Sequence, residues 1–187
     1  MNKILAFGEI MMRLTPQEHH LIEEETSFDA YYGGTEANVL ICLSHLGNQT
    51  SFLSRVPSNK LGLGVLSYLR SHNVGTKELR LEGDTLVLYF LEEVFAGRNS
   101  TVIYARKNAE VNNLKLEDLD LDQVFEGVTF FHTTGITLGI SENAKNLAIS
   151  LMKEAKKRNI LTSFDFNYRS KLWTKEELLN TQGGLLP

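Results

Sequence analysis

Short apolar runs alternate with amphipathic segments along most of this 187-residue chain. The runs have the length of buried strands, and the segments between them repeat apolar side chains at helical spacing. The pattern predicts strands at residues 3–7, 28–32, 50–56, 128–132 and 160–164, a polar loop at 15–27, and helices at 35–46 and 61–71. Because strands and helices alternate, we expect parallel βαβ units and an α/β fold.

Two later helices have start signals of their own. Ser141 is an N-cap for a helix whose apolar side chains recur every three or four residues, at Ala144, Leu147, Ala148, Leu151, Met152 and Ala155. The basic residues at its far end complement the helix dipole and do not form a binding patch. Thr174 and Glu177 make a capping box for a last helix, which we expect to break at Gly183.

The alternation of predicted strands and helices is interrupted between residues 79 and 107. Residues 85–95 and 101–106 are rich in Val, Leu, Tyr and Phe and are joined by a turn-like segment at 96–100. This composition predicts an antiparallel β flap that grows out of the main sheet. Its apolar face would be an aggregation hazard unless a ligand or a second subunit covers it, and the alternative is a plain edge hairpin.

A glycine corner precedes the first helix. Gly33 and Gly34 permit positive φ and close approach of a ligand to the main chain, and the helix that follows offers free N–H groups to a polar ligand. Thr35, Glu36 and Asn38 stand in the first turn, and Gly47 reads as the left-handed cap that closes the helix. The alternative is a tight turn that only lets the helix pack.

Two arginines have the chemistry to bind an acid. Tyr104 and Arg106 are two residues apart on an extended segment, so both point to one face, and a guanidinium matches a carboxylate with two parallel hydrogen bonds. Arg169 follows a predicted strand end, with Asp165 and Asn167 just before it at the edge where parallel sheets bind ligands. The alternatives are an ion pair on an edge strand and a self-satisfied Asp–Arg turn.

Composition and charge limit the possible functions. A net charge of -4 gives no basic surface for nucleic acid, and no apolar run approaches the length of a membrane span. The single cysteine, Cys42, is expected to be a buried helix thiol, excludes an internal disulfide and fits a reducing cytoplasm. His19 and His20 lack the spacing of a metal site, and His132 is expected to be a packed core histidine.

These motifs together resemble the ribokinase-like carbohydrate kinases, also called the phosphofructokinase-B group. The resemblance rests on the glycine corner with Asn38 and on the later glycines at 47 and 62, and it covers nearly the whole chain. It is closest to the 2-keto-3-deoxygluconate kinases, through the run at residues 33–38, Tyr89, the triplet at 104–106 and the run at 165–169. It implies a parallel sheet with helices on both faces, a β lid formed mainly by residues 79–107, and dimerisation through that lid.

The resemblance also assigns roles. It implies a sugar-acid substrate held by Gly33, Gly34, Thr35, Glu36, Asn38, Tyr89, Tyr104, Arg106 and Arg169, with Asn167 and Arg169 toward the phosphate. Asp165 would organise its loop or a metal-bound water, and Glu9 would accept sugar hydroxyls, unless it is a surface carboxylate. ATP and Mg²⁺ are implied for a complete enzyme.

One signature of the family is absent from these 187 residues. The Gly-Ala-Gly-Asp loop with the catalytic Asp does not occur, so we expect the N-terminal portion of a kinase, without its C-terminal portion, a catalytic residue or activity of its own. Two other interpretations stay open. One is a fructokinase-like or other sugar kinase, and the other is a non-catalytic sugar-binding or dimerisation module.

Overall fold

The computed structural model describes residues 2–182 of the chain. These residues form ten strands and six helices, joined by loops and three single 3-10 turns. The strands are β1 (Lys3–Phe7), β2 (Met11–Pro16), β3 (Phe28–Gly33), β4 (Gln49–Val56), β5 (Val74–Gly75), β6 (Leu79–Leu81), β7 (Leu88–Glu92), β8 (Thr101–Ala105), β9 (Phe130–Thr134) and β10 (Leu161–Asp165). The helices are α1 (Thr35–His45), α2 (Lys60–Ser71), α3 (Leu121–Val124), α4 (Gly135–Ile140), α5 (Glu142–Lys157) and α6 (Lys175–Gln182).

The main sheet is parallel and has helices on both faces, as expected. Its strand order is β10-β9-β1-β4-β5, and β6 also pairs with β4. Along β1, Ile4 and Ala6 join the core beneath α1 and α2, whereas Leu5 and Phe7 join the core beneath α5. This alternation is what a strand buried on both faces requires. The carboxyl ends of β1, β9 and β10 therefore meet at one edge, beside the start of α1.

A second, smaller sheet forms the lid. We call β3, β2, β7 and β8 the lid sheet, in that strand order. β2 pairs antiparallel with β3 and parallel with β7, and β7 pairs antiparallel with β8. The predicted hairpin is therefore confirmed at its centre, where Tyr89 lies opposite Tyr104.

The predicted flap began too early, and the lid sheet also takes in two strands from outside residues 79–107. Residues 79–81 belong to the main sheet as β6, beside β4. The strand at 28–33, which we expected within a βαβ unit, lies in the lid sheet. Its partner β2 was not predicted, and its last two residues fall in the segment that we expected to be a polar loop. The sheet that a strand joins is decided by its pairing with strands far away in the sequence, and local composition does not reveal that pairing.

The helix termini follow the predicted signals. Ser141 accepts a hydrogen bond from the N–H of Ala144, and Thr174 and Glu177 cap α6 reciprocally. Gly47 has φ of +84°, the left-handed value expected of a helix cap. The break expected at Gly183 lies outside the described residues. The prediction for Cys42 was wrong, because its side chain is exposed on α1.

Candidate functional site

A cavity of about 600 Å³ lies between the lid sheet and the ligand-binding edge of the main sheet. Three parts of the chain enclose it: the start of α1, the cavity-facing side of the lid, and the segment that follows β10. Its lining comprises Met11, Gly33, Gly34, Thr35, Asn38, Tyr89, Val102, Tyr104, Arg106, Ile136, Arg169, Ser170, Lys171 and Leu172. The volume lies in the range of sites for small molecules.

The glycine corner is required by close packing and not by positive φ. Gly34, the N-cap of α1, has an extended conformation with φ of −169°, and Gly33 has no positive φ either. A Cβ on Gly34 would lie 2.0 Å from the carbonyl oxygen of Glu9, whereas the nearest atom to a Cβ on Gly33 is 3.9 Å away. Gly34 therefore lets α1 begin directly against the end of β1, with its first-turn N–H groups beside the cavity.

The first turn of α1 divides its side chains between the cavity and the core. Thr35 and Asn38, three residues apart, line the cavity. Glu36 does not reach the cavity, although the family resemblance placed it there. Its side chain is buried beneath α1, where one carboxylate oxygen accepts hydrogen bonds from the hydroxyls of Thr134 at 2.7 Å and Thr137 at 2.5 Å. Burial raises the pKa of this carboxyl.

The lid contributes two phenols and a guanidinium. Tyr89 and Tyr104 are cross-strand partners with ring centroids 5.6 Å apart. The guanidinium of Arg106, just beyond β8, lies 4.7 Å from the centroid of the Tyr104 ring. Partial burial raises the pKa of Tyr89, so its hydroxyl stays protonated and is able to donate a hydrogen bond to a ligand.

Arg106 has a partner already within the protein. Its Nη2 lies 2.8 Å from Oε2 of Glu9, in an ion pair whose side chains are 17% and 3% exposed. Burial raises the pKa of Glu9 to about 7, although the positive charge of Arg106 pulls it down. Glu9 does not line the cavity, so it reaches a ligand there only through the guanidinium of Arg106.

The segment after β10 brings a second guanidinium to the cavity. Arg169 lines it, is exposed, and donates from Nη1 to the carbonyl of Tyr168 at 3.1 Å. Asp165 and Asn167 do not line it. The carboxylate of Asp165 accepts a hydrogen bond from the N–H of Asn167, whose amide contacts the hydroxyl of Thr35 at 3.4 Å. These two residues therefore shape the turn that carries Arg169, whereas the resemblance placed Asn167 toward phosphate.

Several lining residues were not predicted as site residues. Lys171, two residues beyond Arg169, lines the cavity and extends Nζ to within 3.5 Å of the carbonyl of Val102 in β8. No periodicity in the sequence signalled it, because residues 170–172 form a turn. Met11 was not predicted as a site residue either, because the strand that carries it, β2, was not predicted. Its sulfur accepts a hydrogen bond from Nη2 of Arg106 at 3.4 Å.

The histidines take no part in this cavity. His132 is buried in β9, as expected, with Nδ1 3.1 Å from the hydroxyl of Ser163. His20 pairs with Glu25 in the loop after β2. Among residues 2–182, no three His, Cys, Asp or Glu side chains come together as metal ligands. Within the same residues, no helix combines the length and the apolar character needed to cross a membrane.

Comparisons with known proteins agree with this architecture. The sequence pattern described as pfkB family carbohydrate kinase matches residues 1–184. A 2-dehydro-3-deoxygalactonokinase from Haloferax volcanii is 34% identical over 99% of this chain and 58% of its own length. The crystal structure of a 2-dehydro-3-deoxygluconokinase from Thermotoga maritima has a TM-score of 0.90 and 37% identity over 95% of this chain and 54% of that one.

A more distant structure shares the fold alone. It is a fructokinase with bound ATP from Xylella fastidiosa, with a TM-score of 0.83 and 21% identity over 97% of this chain and 55% of that one. In each of these three comparisons the chain spans just over half the length of the protein it matches.

Proposed function

This chain belongs to the pfkB family of carbohydrate kinases, and we propose that it forms the acceptor-binding part of a kinase for 2-keto-3-deoxygluconate or a similar sugar acid. The complete enzyme would pass the γ-phosphate of ATP to the terminal hydroxyl of that acid. The observation that carries the proposal is the convergence of Arg106 and Arg169 on the cavity that Gly34 borders.

The chemistry of the lining fits an acidic sugar. Two guanidinium groups from distant parts of the chain match one carboxylate, and the phenols of Tyr89 and Tyr104 match hydroxyl or keto oxygens beside it. The first-turn N–H groups of α1 and the amide of Asn38 are further polar groups that face the sugar chain. A neutral sugar would leave at least one of the two positive charges without a counter-ion in a partly closed site.

Phosphate transfer needs groups that these residues lack. Members of this family bind ATP, as the fructokinase complex illustrates, and phosphoryl transfer commonly uses Mg²⁺ and a base near the attacking hydroxyl. The described residues assemble no carboxylate cluster to hold a metal, and the Gly-Ala-Gly-Asp loop does not occur in residues 1–187. We propose that the 187-residue chain binds the acid weakly and transfers no phosphate.

One observation favours a second candidate, a fructokinase-like enzyme for a neutral sugar. Arg106 is paired with Glu9, so one of the two positive charges is already balanced before any ligand arrives. In that case Arg169 alone would face the ligand, and its charge would serve phosphate or structure. The two candidates differ in whether the site binds a sugar with a carboxylate more tightly than a neutral sugar.

A binding comparison tests the proposal. Titration calorimetry of the 187-residue chain with 2-keto-3-deoxygluconate and with fructose should give at least about tenfold tighter binding of the acid, a difference of about 1.4 kcal/mol. Equal affinities would favour the fructokinase-like candidate. Measurable ATP consumption by the same chain in the presence of the acid would contradict the proposed inactivity and dismiss the non-catalytic module as well.

We propose in addition that the lid sheet pairs with a second copy, in a cytoplasmic protein. The lid face that points away from the cavity carries Ile103, which is 50% exposed, and its neighbour in register, Phe90. An apolar sheet face of this kind is stabilised by a partner. Light scattering on the purified chain should give twice the 21.1 kDa of one copy, and Ile103→Glu should return the mass to that of a monomer.

A further inference from the structure

The carboxyl group of Glu9 lies behind the cavity, buried against one positive charge. It is 3% exposed at the end of β1, and its Oε2 lies 2.8 Å from Nη2 of Arg106. Neither carboxylate oxygen has a partner in hydrogen-bond geometry among the described residues, so the ion pair with Arg106 is what offsets the burial of the charge. A buried carboxylate stays ionised only while a partner offsets the loss of water, and Arg106 is that partner.

A second acid acts on Glu9 electrostatically. The charged groups that face Glu9 from the elements packed on it are Arg106, next to the lid sheet, and Glu36, from α1. Glu36 is fully buried and is held by two threonine hydroxyls. Burial and the proximity of Glu36 both raise the pKa of Glu9, which reaches about 7 even with Arg106 in place.

A ligand carboxylate competes with Glu9 for the same guanidinium. Arg106 opens into the cavity beside the ring of Tyr104, so a carboxylate that binds there draws on the charge that neutralises Glu9. Arg169 offsets the charge of the ligand, but among the described residues Arg106 is the only positive group that acts on Glu9, so two carboxylates then share that guanidinium in a poorly solvated place. The least costly response is for Glu9 to take a proton from water, because its pKa already lies near neutrality.

We propose that Glu9 is a positioning residue, the resident counter-ion of Arg106, and that an acidic sugar is bound together with one proton that Glu9 takes up. Glu9 holds the guanidinium toward the cavity while the site is empty and becomes neutral when the ligand carboxylate replaces it. This inference rests on the proposed function, because it requires an acidic ligand. It differs from the role in which Glu9 accepts sugar hydroxyls, which its burial behind the cavity disfavours.

Proton uptake is measured by calorimetry in two buffers of different ionisation enthalpy. With a pKa of about 7, Glu9 is about 90% ionised at pH 8 and about 10% ionised at pH 6, so the acid should bind with about 0.9 proton at pH 8 and about 0.1 at pH 6. The carboxyl group of the sugar acid is ionised at both values and adds nothing to the count. Affinity should fall by up to about tenfold per pH unit above pH 7.

The matched variants are Glu9→Gln and Glu110→Gln. Glu110 is also a buried carboxylate beside an arginine, Arg55 at 3.4 Å, but it lies away from the cavity. Glu9→Gln should bind the acid with no proton uptake at either pH, and Glu110→Gln should keep the wild-type count. If Glu9→Gln does not fold, the comparison of pH 6 with pH 8 in the wild-type chain is still decisive.

Two results distinguish failure of this inference from failure of the proposed sugar-acid binding. Binding of 2-keto-3-deoxygluconate at pH 8 without proton uptake would overturn the role of Glu9 and leave the proposed function standing. Failure of the acid to bind at either pH would overturn the proposed function, and the inference with it. Uptake that persists in Glu9→Gln would also overturn the inference, since another group would then be the acceptor.

Discussion

The two arginines of the cavity are held in different ways. The anchored wall, which we define as Glu9, Gly34 and Arg106, is built from residues far apart in the sequence that pack tightly without any ligand. The open wall, residues 169–172, is held by local turn contacts, such as the hydrogen bond from the N–H of Leu172 to the carbonyl of Arg169 at 2.9 Å. Arg169 itself is exposed.

Because of this difference, we expect the anchored wall to be in its binding position before the ligand arrives and the open wall to become ordered only when the ligand binds. The anchored wall offers a guanidinium whose position is set in advance, so little conformational entropy is lost when a ligand meets it. The open wall keeps its charge in water until the cavity is filled. We therefore expect substitutions in the anchored wall to change both folding and binding, and substitutions in the open wall to change binding modestly.

The largest expected effect is on how the stability of the anchored wall depends on pH. The pKa of Glu9 is about 7 in the folded chain, against 4.5 for a free glutamate, so the folded state holds this proton more tightly than the unfolded state. The free energy of unfolding should therefore fall as pH rises from 4.5 to 7, by about 3 kcal/mol from this group, and level off above 7.

Urea unfolding of the wild-type chain and Glu9→Gln at pH 5 and pH 8 measures this effect. Glu36 is also buried with a raised pKa, but burial is the largest cause of that shift, so most of its contribution is common to both chains. The fall in stability between the two pH values should be smaller in Glu9→Gln by about 2.5 kcal/mol. The same pH dependence in both chains would show that burial does not raise the pKa of Glu9 in the folded chain.

The next effect is steric and belongs to the glycine corner. Gly34→Ala places a Cβ 2.0 Å from the carbonyl oxygen of Glu9, so β1 and α1 must separate, with an expected loss of about 2 to 3 kcal/mol in the free energy of unfolding. Gly33→Ala is the matched control, since its Cβ would have 3.9 Å of space, and it should cost less than about 1 kcal/mol. Equal losses would mean that the corner requires glycine for another reason.

The main sheet, the lid sheet and the glycine corner differ in how far the sequence alone predicted them. The strands, helices and caps of the main sheet depend on patterns within a few residues, and Ser141, Thr174 and Gly47 perform the predicted roles. The lid sheet depends on pairings such as Met12 with Leu88, which no local pattern encodes. The glycine corner was located correctly, but the reason for it, a close approach to Glu9, required the fold.

The site residues divide in the same manner. The convergence of Arg106 and Arg169 on one cavity was expected, although largely from the resemblance to a family. Glu36 was misplaced, yet its position four residues before the buried Leu40 puts both on one helix face and was a usable signal. The pairing of Glu9 with Arg106 could not be predicted, because 97 positions separate the two and no local pattern links them.

The third prediction compares the two walls by affinity for the sugar acid. Arg106→Met should weaken binding about 30-fold, near 2 kcal/mol, because it removes a prepared and largely buried charge. Arg169→Met should weaken binding about fivefold, near 1 kcal/mol, because the exposed guanidinium is screened by water and must be ordered. Calorimetric titration with 2-keto-3-deoxygluconate measures both dissociation constants.

The control for that pair is Arg158→Met. Arg158 is paired with Asp122 and Glu154 beside α5 and does not line the cavity, so its loss should leave affinity unchanged. A larger loss for Arg169→Met than for Arg106→Met would reverse the comparison and make the open wall the main determinant of recognition.

The smallest expected effect concerns the contact that joins the open wall to the lid. Nζ of Lys171 lies 3.5 Å from the carbonyl of Val102, a long hydrogen bond at an exposed position. Lys171→Met should therefore change the free energy of unfolding by less than about 0.5 kcal/mol, the range of most surface substitutions. Lys153→Met, on the exposed face of α5, is the matched control, and urea unfolding at pH 7 measures both. A loss above about 1.5 kcal/mol for Lys171→Met alone would show that the open wall is fastened to the lid before any ligand binds.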